Sequence, residues 1–250
     1  MSRPNGYVVW EGPSPVDGRP IVFIVTNIHD RSQNVKTGEM IQSFILRADV
    51  KPSKAIEAAE DASVCGHCPH RGRLSDDGLR MIERPCYVDV HKSVDSVWGA
   101  YRRGSYPRIS PERLGVMLAG DVARLGAYGD PGMVPLAVLR AVVAHCRPGS
   151  TGYTHQWRHI DPAYAELLMA SADSVEDRRA ARALGYRSFY VMPVGSTPRA
   201  DGAVECASTR QRNPLQCIDC GMCGGTRDGA ASGAVDIAIV AHGSGAKYVG

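Results

Sequence analysis

The sequence lacks the long apolar runs that membrane-spanning segments require. None of its 250 residues lies in a stretch approaching the ~18 consecutive apolar residues of a membrane helix. Residues 1–6 carry a single arginine with no apolar segment behind it, so a secretory signal is not predicted. Internal repeats and low-complexity tracts are also missing. We therefore expect a cytoplasmic protein without membrane partners.

Neither sign of charge dominates the chain. The formal net charge is +3, with 22% charged and 44% hydrophobic residues, which is ordinary for a globular protein. An excess this small does not predict a nucleic-acid partner, because that inference needs a local basic patch. Residues 101–108 interleave tyrosines with arginines, and Arg210 and Arg212 add further positive charge. Such a segment can grip phosphates and stack on bases, or it can be solvated surface, so nucleic acid is kept as an alternative partner.

Cysteine, by contrast, is plentiful. The chain has eight cysteines, and in a reducing compartment such residues stay as thiols or bind metal instead of forming disulfides. Seven of them fall into two groups, and Cys146 stands apart. The first cysteine group is Cys65, Cys68 and Cys86. The second cysteine group is Cys206, Cys217, Cys220 and Cys223.

The two groups predict different kinds of metal site. Three thiolates from one connection, residues 65–87, can hold an iron–sulfur cluster with one open iron, or a zinc completed by His67, His70 or water. An open position makes such a site reactive. The second group, within residues 206–225, offers a closed set of four thiolates for structural zinc or a four-iron cluster. Its two x2 gaps are closer to ferredoxin spacing and favour iron–sulfur, while a purely structural role stays open.

The hydrophobic pattern predicts an α/β fold. Strands are expected over 7–10 and 21–26, joined by a Pro- and Gly-containing turn, and over 40–46, 122–128, 152–157, 168–172, 187–192 and 235–241. Helices are expected over 94–101, 135–145, 162–167 and 175–184, the last capped by Ser174. Alternation of strands and helices after residue 122 indicates parallel strands. We expect one domain over 1–250: an N-terminal β-hairpin extension (1–40) and a partial (β/α)6-type barrel (41–250) with metal loops 65–87 and 206–225. The run 229–233 is expected to be a flexible loop.

A glycine-rich turn ends the strand 122–128. Ligands of α/β folds bind beyond the carboxyl ends of parallel strands, where loop amides and a helix N-terminus face the crevice. Tyr128, Gly129 and Asp130 are therefore candidate cofactor-binding residues. An ordinary Gly-Asp-Pro turn is the alternative.

Three titratable side chains are candidate catalytic residues at the same strand ends: Asp130, His155 and Asp173. Period-2 alternation over 152–157 would place Tyr153, His155 and Trp157 on one face of the strand. A histidine there can exchange a proton near neutral pH. His155 is equally consistent with a hydrogen-bonded structural role, and Asp173 with a solvated loop. His242 ends the last predicted strand and belongs to the same rim.

These motifs together resemble a known family. They are Asn34-x-Lys36-Thr37-Gly38, Cys65-x2-Cys68-Pro69-His70-Arg71-Gly72, Cys86-Tyr87, Gly129-Asp130-Pro131, residues 153–157, residues 169–174 and Cys217-x2-Cys220-Gly221-x-Cys223. The chain, from about Asn34 onward, is similar to the phage gene-product-eighty-eight proteins, an uncharacterised family of bacteriophages and mobile elements. That resemblance implies no specific activity.

The chain also distantly resembles radical S-adenosylmethionine enzymes. Their six-stranded partial barrel carries three cluster-binding cysteines after its first strand, and a turn after the second strand contacts the cofactor's methionine. The first cysteine group and Gly129-Asp130-Pro131 occupy the matching places, although the cysteine gaps here are x2 and x17 where that family has x3 and x2. The second cysteine group would correspond to an auxiliary cluster.

We therefore predict a 4Fe-4S enzyme of radical S-adenosylmethionine type that acts on a small molecule, with a nucleobase or nucleotide suggested by the phage resemblance. One alternative is a zinc-binding enzyme of transglycosylase or hydrolase type that modifies nucleobases, with Asp130 or Asp173 as nucleophile or base. A second alternative is a non-catalytic zinc protein that binds nucleic acid.

Overall fold

The computed structural model of the chain describes residues 3–198, 202–227 and 235–249. The fold is mixed α/β, built on a nine-stranded and mostly parallel sheet. Its strands are β1 (Gly6–Pro13), β2 (Pro20–Thr26), β3 (Ile41–Arg47), β6 (Ala123–Tyr128), β7 (Thr151–Thr154), β8 (Met169–Ala172), β9 (Ser188–Met192), β10 (Val204–Glu205) and β11 (Ile237–Val240). A separate hairpin consists of β4 (Arg73–Leu74) and β5 (Met81–Ile82). The loop expected over 229–233 lies outside the described residues.

Seven short α-helices connect or flank these strands in the described part. They are α1 (Pro52–Glu57), α2 (Ala62–Cys65), α3 (Asp95–Arg102), α4 (Pro111–Met117), α5 (Leu136–Val143), α6 (Val175–Ala183) and α7 (Cys217–Cys220). A π-helical turn (Val90–Val94) precedes α3, and 3-10 turns cover Pro69–Arg71, Pro131–Met133, Pro162–Glu166, Ala207–Thr209 and Ala246–Tyr248. The expected cap of α6 is confirmed, because Ser174 Oγ accepts a hydrogen bond from the Asp177 amide at 3.0 Å.

The six predicted core strands lie side by side in chain order. β3, β6, β7, β8, β9 and β11 run parallel to one another. The antiparallel β1–β2 hairpin extends the sheet beyond β3, and β10 adds a parallel edge strand beside β11. Because parallel strands all end at one edge, the segments that follow β3, β6, β7 and β8 meet there. That edge carries the cysteine loop and the predicted turn residues.

Two local expectations were wrong. No helix was predicted between residues 101 and 135, so α4 was missed, although Ser110 caps it and Pro111 occupies its first turn. The strand expected over 152–157 ends at Thr154, whose Oγ1 accepts a hydrogen bond from the Gln156 amide at 2.9 Å and turns the chain. Period-2 alternation therefore does not extend past Thr154, and Gln156 and Trp157 are both buried in the following loop.

The largest core cluster lies on the half of the sheet that contains β1, β2, β3 and β6. Every residue of β3 and all but the first residue of β2 are buried, which is the pattern of strands covered on both faces. Leu114 of α4 and Leu139, Val142 and Val143 of α5 pack into the same cluster. The sheet is therefore rigid where it supports the site described next.

Candidate functional site at the carboxyl edge of the sheet

The end of α2 and the loop that follows it contact the segments after β6 and β7. The Asp130 amide donates to the Val64 carbonyl at 2.7 Å, and Gln156 Nε2 donates to the Cys65 carbonyl at 3.1 Å. Gly66 adopts a φ of +54°, and a Cβ there would lie 2.3 Å from Gln156 Oε1. Only glycine fits this close approach. The first cysteine group is thus fixed next to the predicted ligand-binding turn.

A buried ion-pair cluster holds the segment between Cys68 and Cys86 against the start of α2. Asp61, at the start of α2, is fully buried and accepts hydrogen bonds from Arg71 and Arg84, each at 2.9 Å. Arg84 also donates to the Arg71 carbonyl at 2.9 Å. We call these three residues the Asp61 cluster. Sequence reasoning missed it, because a lone aspartate before a helix gives no sign of partners 10 and 23 residues ahead.

The thiols of the first cysteine group lie close enough to influence one another's protonation. Burial raises the pKa of Cys65 well above its usual value, and the charges of Asp61, Cys68 and Cys86 raise it further. Burial likewise raises the pKa of Cys86, with a smaller contribution from Cys68. The raised pKa values favour the protonated form of Cys65 and Cys86, and a bound metal would displace those protons.

Beside these thiols lies a histidine–carboxylate network. His70 Nε2 is 2.6 Å from Asp173 Oδ1, and His155 Nε2 is 3.2 Å from Asp173 Oδ2. Although burial opposes ionisation, hydrogen bonds from His155 and His70 hold the pKa of Asp173 well below its usual range. Burial also opposes the charged form of His155, but Cys68 and Asp173 together raise its pKa well above the usual value. Two of the three candidate catalytic residues, His155 and Asp173, are thereby brought together.

The third candidate, Asp130, uses its carboxylate for hydrogen bonds to the neighbouring backbone. Its carboxylate accepts from the Gly132 and His155 amides, both at 2.8 Å, and from Gln156 Nε2 at 3.3 Å. Burial raises its pKa, and these hydrogen bonds and the charge of His155 act against that rise. Asp130 therefore ties the turn after β6 to the end of β7, and its contact with a ligand stays a prediction.

Tyr128, the other candidate with a polar side chain at this turn, has a hydroxyl that is not satisfied. The side chain is buried, and within the described ranges the hydroxyl has no hydrogen-bond partner. Burial raises its pKa well above the usual value, and electrostatic interactions with Cys65 and Asp61 raise it further. The Tyr128 hydroxyl is therefore a buried hydrogen-bond donor beside the first cysteine group for which the described residues supply no acceptor.

The second cysteine group surrounds a small cavity elsewhere in the sheet. All four of its cysteines line this cavity of about 20 Å³, together with Thr151, Tyr153 and Ile237. Burial raises the pKa of Cys217 to about 11, with Cys206 contributing, and burial raises that of Cys223 still further. The Cys217 amide donates to the Lys36 carbonyl at 2.9 Å, so the turn at Asn34 to Gly38 supports this site.

Among the described residues, one set of three or more histidine, cysteine and carboxylate side chains has its ligand atoms all within 4.8 Å of one another. That set is His70, His155 and Asp173. The thiols of neither cysteine group meet this distance as a set of three. The thiols of each group therefore do not form a set close enough to bind one metal ion as the structure stands.

Comparison with known proteins identifies no relative. No family model matches the sequence, and no curated protein and no solved structure matches it. The resemblances to the phage family and to radical S-adenosylmethionine enzymes therefore stay predictions. Within the described part of the chain, no helix has the length and apolar character to cross a membrane.

The aromatic and basic segment over 101–108 makes contacts within the protein. The Tyr101 hydroxyl donates to Glu11 at 2.9 Å, Arg108 pairs with the same carboxylate at 2.5 Å, and Arg102 donates to the Ala48 carbonyl at 2.9 Å. Each of these groups already has a partner. Nucleic-acid contact through this segment stays a prediction.

Proposed function

We propose that the protein is an iron–sulfur enzyme of radical S-adenosylmethionine type, with a four-iron cluster on the first cysteine group and a nucleobase or nucleotide as substrate. The observation that carries the proposal is the meeting of three thiols with the Asp130 turn at one edge of six parallel strands that follow chain order. The same strand order supports the further proposal that the sheet curves into a partial barrel.

The thiols of the described residues do not meet the spacing of ligands to a single zinc ion. Thiolates around one tetrahedral zinc lie about 3.8 Å apart, given a Zn–S bond of ~2.3 Å. No three thiols in the described residues lie within 4.8 Å of one another. In a four-iron cluster each thiolate binds a different iron, so wider spacing is expected. Soft thiolate ligands also suit iron–sulfur chemistry.

The chain's own residues would hold and shield this site. Cys65, Cys68 and Cys86 would bind the cluster, which when bound supplies an electron to the cofactor. The unsatisfied Tyr128 hydroxyl is placed to donate a hydrogen bond to a group bound there. Gln156 fixes the loop through the Cys65 carbonyl, which limits movement of the ligands.

The second cysteine group is proposed to hold a second cluster with no open position. Its four thiols face one cavity and are all tied into the fold by backbone hydrogen bonds or by core packing. Four protein ligands leave no site for a substrate on the metal, so a structural or electron-relay role is favoured. Zinc is the alternative occupant.

Anaerobic purification tests the proposal. We expect brown protein with broad absorption near ~400 nm, iron and sulfide in cluster ratio, and a spectral change when S-adenosylmethionine is titrated. Colourless protein that contains only zinc would refute the iron–sulfur assignment. Clusters whose spectra do not respond to S-adenosylmethionine would refute the cofactor assignment alone.

A second candidate function follows from the histidine–carboxylate network. His70, His155 and Asp173 form a two-histidine, one-carboxylate set whose ligand atoms are close enough for one metal ion. Such a site would support metal-assisted hydrolysis of a nucleobase bond. In protein that binds one zinc per chain at this set, His70→Ala would remove that zinc, and the first cysteine group would be unaffected.

A further inference from the structure

Arg124, near the start of β6, is a half-buried cation for which the described residues supply no carboxylate partner. Its guanidinium donates to the Tyr87 hydroxyl at 2.7 Å, and in the described ranges it forms no ion pair within 4.0 Å. Two arginines with buried side chains, Arg47 and Arg178, are instead paired with Asp49 and Asp236 at 2.8 and 3.0 Å. A partly desolvated charge without a counter-charge is costly unless something anionic binds to it.

The surroundings of Arg124 place it between the two cysteine groups. Its hydrogen-bond partner Tyr87 directly follows Cys86 of the first group. On the other side, Arg124 is paired in the β6–β7 register with Thr151, which lines the cavity of the second cysteine group. Arg124 therefore lies between the two sites.

We propose that Arg124 binds an oxyanion, a carboxylate or phosphate, between the two cysteine groups. The planar guanidinium presents paired N–H donors that match either oxyanion, and the neutral Tyr87 hydroxyl orients it without neutralising it. That this oxyanion belongs to the substrate rests on the function proposed above. A nucleotide phosphate or a substrate carboxylate would then be held by Arg124 while the rest of the molecule faces the first group.

Calorimetric titration of the full chain with inorganic phosphate and with acetate, at constant ionic strength, tests the proposal. We expect saturable binding of at least one anion, weakened tenfold or more in Arg124→Gln, which corresponds to the loss of one charged hydrogen-bond pair. Arg124→Met is the second variant, because it removes the charge while keeping apolar volume for folding. Arg179→Gln, whose side chain is 76% exposed, is the matched control and should bind as the wild type does.

The two titrations distinguish the oxyanions, since preference for phosphate indicates a phosphorylated ligand and preference for acetate a carboxylate. Absence of saturable binding in the wild type, or binding unchanged in both Arg124 variants, overturns the proposal. Iron content is measured on the same preparations. Colourless protein that still binds anions through Arg124 would overturn the iron–sulfur function and leave this binding site standing.

Discussion

Replacing Asp61 by asparagine should destabilise the protein strongly, because Asp61 neutralises two largely buried arginines. The Asp61 side chain is 0% exposed, and those of Arg71 and Arg84 are each 18% exposed. Its two oxygens accept from Arg71 at 2.8 Å and from Arg84 at 2.9 Å. Removing one member of a buried pair costs ~3–5 kcal/mol, and the asparagine oxygen keeps one acceptor, so we expect a loss of about 3 kcal/mol in the free energy of unfolding.

Urea unfolding of the chelator-treated full chain measures this loss without a contribution from metal binding. Asp76→Asn is the matched control, because that side chain is fully exposed and pairs only weakly with Arg73 at 3.4 Å. Its midpoint should not change. A loss below about 1 kcal/mol for Asp61→Asn would contradict the argument that charge neutralisation holds the cysteine loop in place.

Four other outcomes are expected. Cys86→Ala should remove the iron of the first cysteine group and spare the second; loss of both would mean that the groups form one site. Gly66→Ala should also lower iron in the first group, since its Cβ would lie 2.3 Å from Gln156 Oε1, and normal loading would count against that close approach. Asp236→Asn, at a side chain 3% exposed and paired with two arginines, should cost about 3 kcal/mol by urea unfolding, and a small loss would argue against a buried pair. The pKa of Asp173 is lowered in the folded state, so its contribution to stability is present above the unfolded pKa of ~3.9 and is lost as pH falls through the folded pKa. Asp173→Asn should therefore make the free energy of unfolding less dependent on pH in the acid range. An unchanged pH dependence would refute this.

The order of the parallel strands could be predicted because it follows from local patterns. Apolar runs separated by helical segments specify strand and crossover without reference to distant contacts. The cap at Ser174 is equally local, since a side chain three residues from its target completes it. Asp173 was expected at the end of the strand next to the one predicted to carry His155, and the structure brings the two side chains together at 3.2 Å.

The remaining features depend on contacts between distant parts of the chain. Cys86 was assigned to the first cysteine group from the sequence, but the Asp61 cluster that folds the intervening segment back was not predicted, because its partners are 10 and 23 residues from Asp61. The strand before His155 ends early because Thr154 bonds to the next turn, which a propensity for strand does not reveal. Arg124 was predicted only as a strand residue. What distinguishes it in the structure is that the described residues place a tyrosine hydroxyl, and no carboxylate, against its guanidinium.

The way each cysteine group is held argues that the two have different roles. Cys206 and Cys223 pack with Met169, Ile237 and Ile239 in one apolar cluster, so a metal bound at the second group would be coupled to the packing of the last strands. The first group is held instead by polar contacts at the open edge of the sheet, beside a histidine–carboxylate network that packing alone does not need. The apolar surroundings of the second group stabilise the fold. The first group, with half-buried thiols beside titratable side chains at an open edge, is suited to chemistry on a bound ligand. We therefore expect metal loss at the second group to unfold its surroundings and metal loss at the first to abolish activity while leaving the sheet intact.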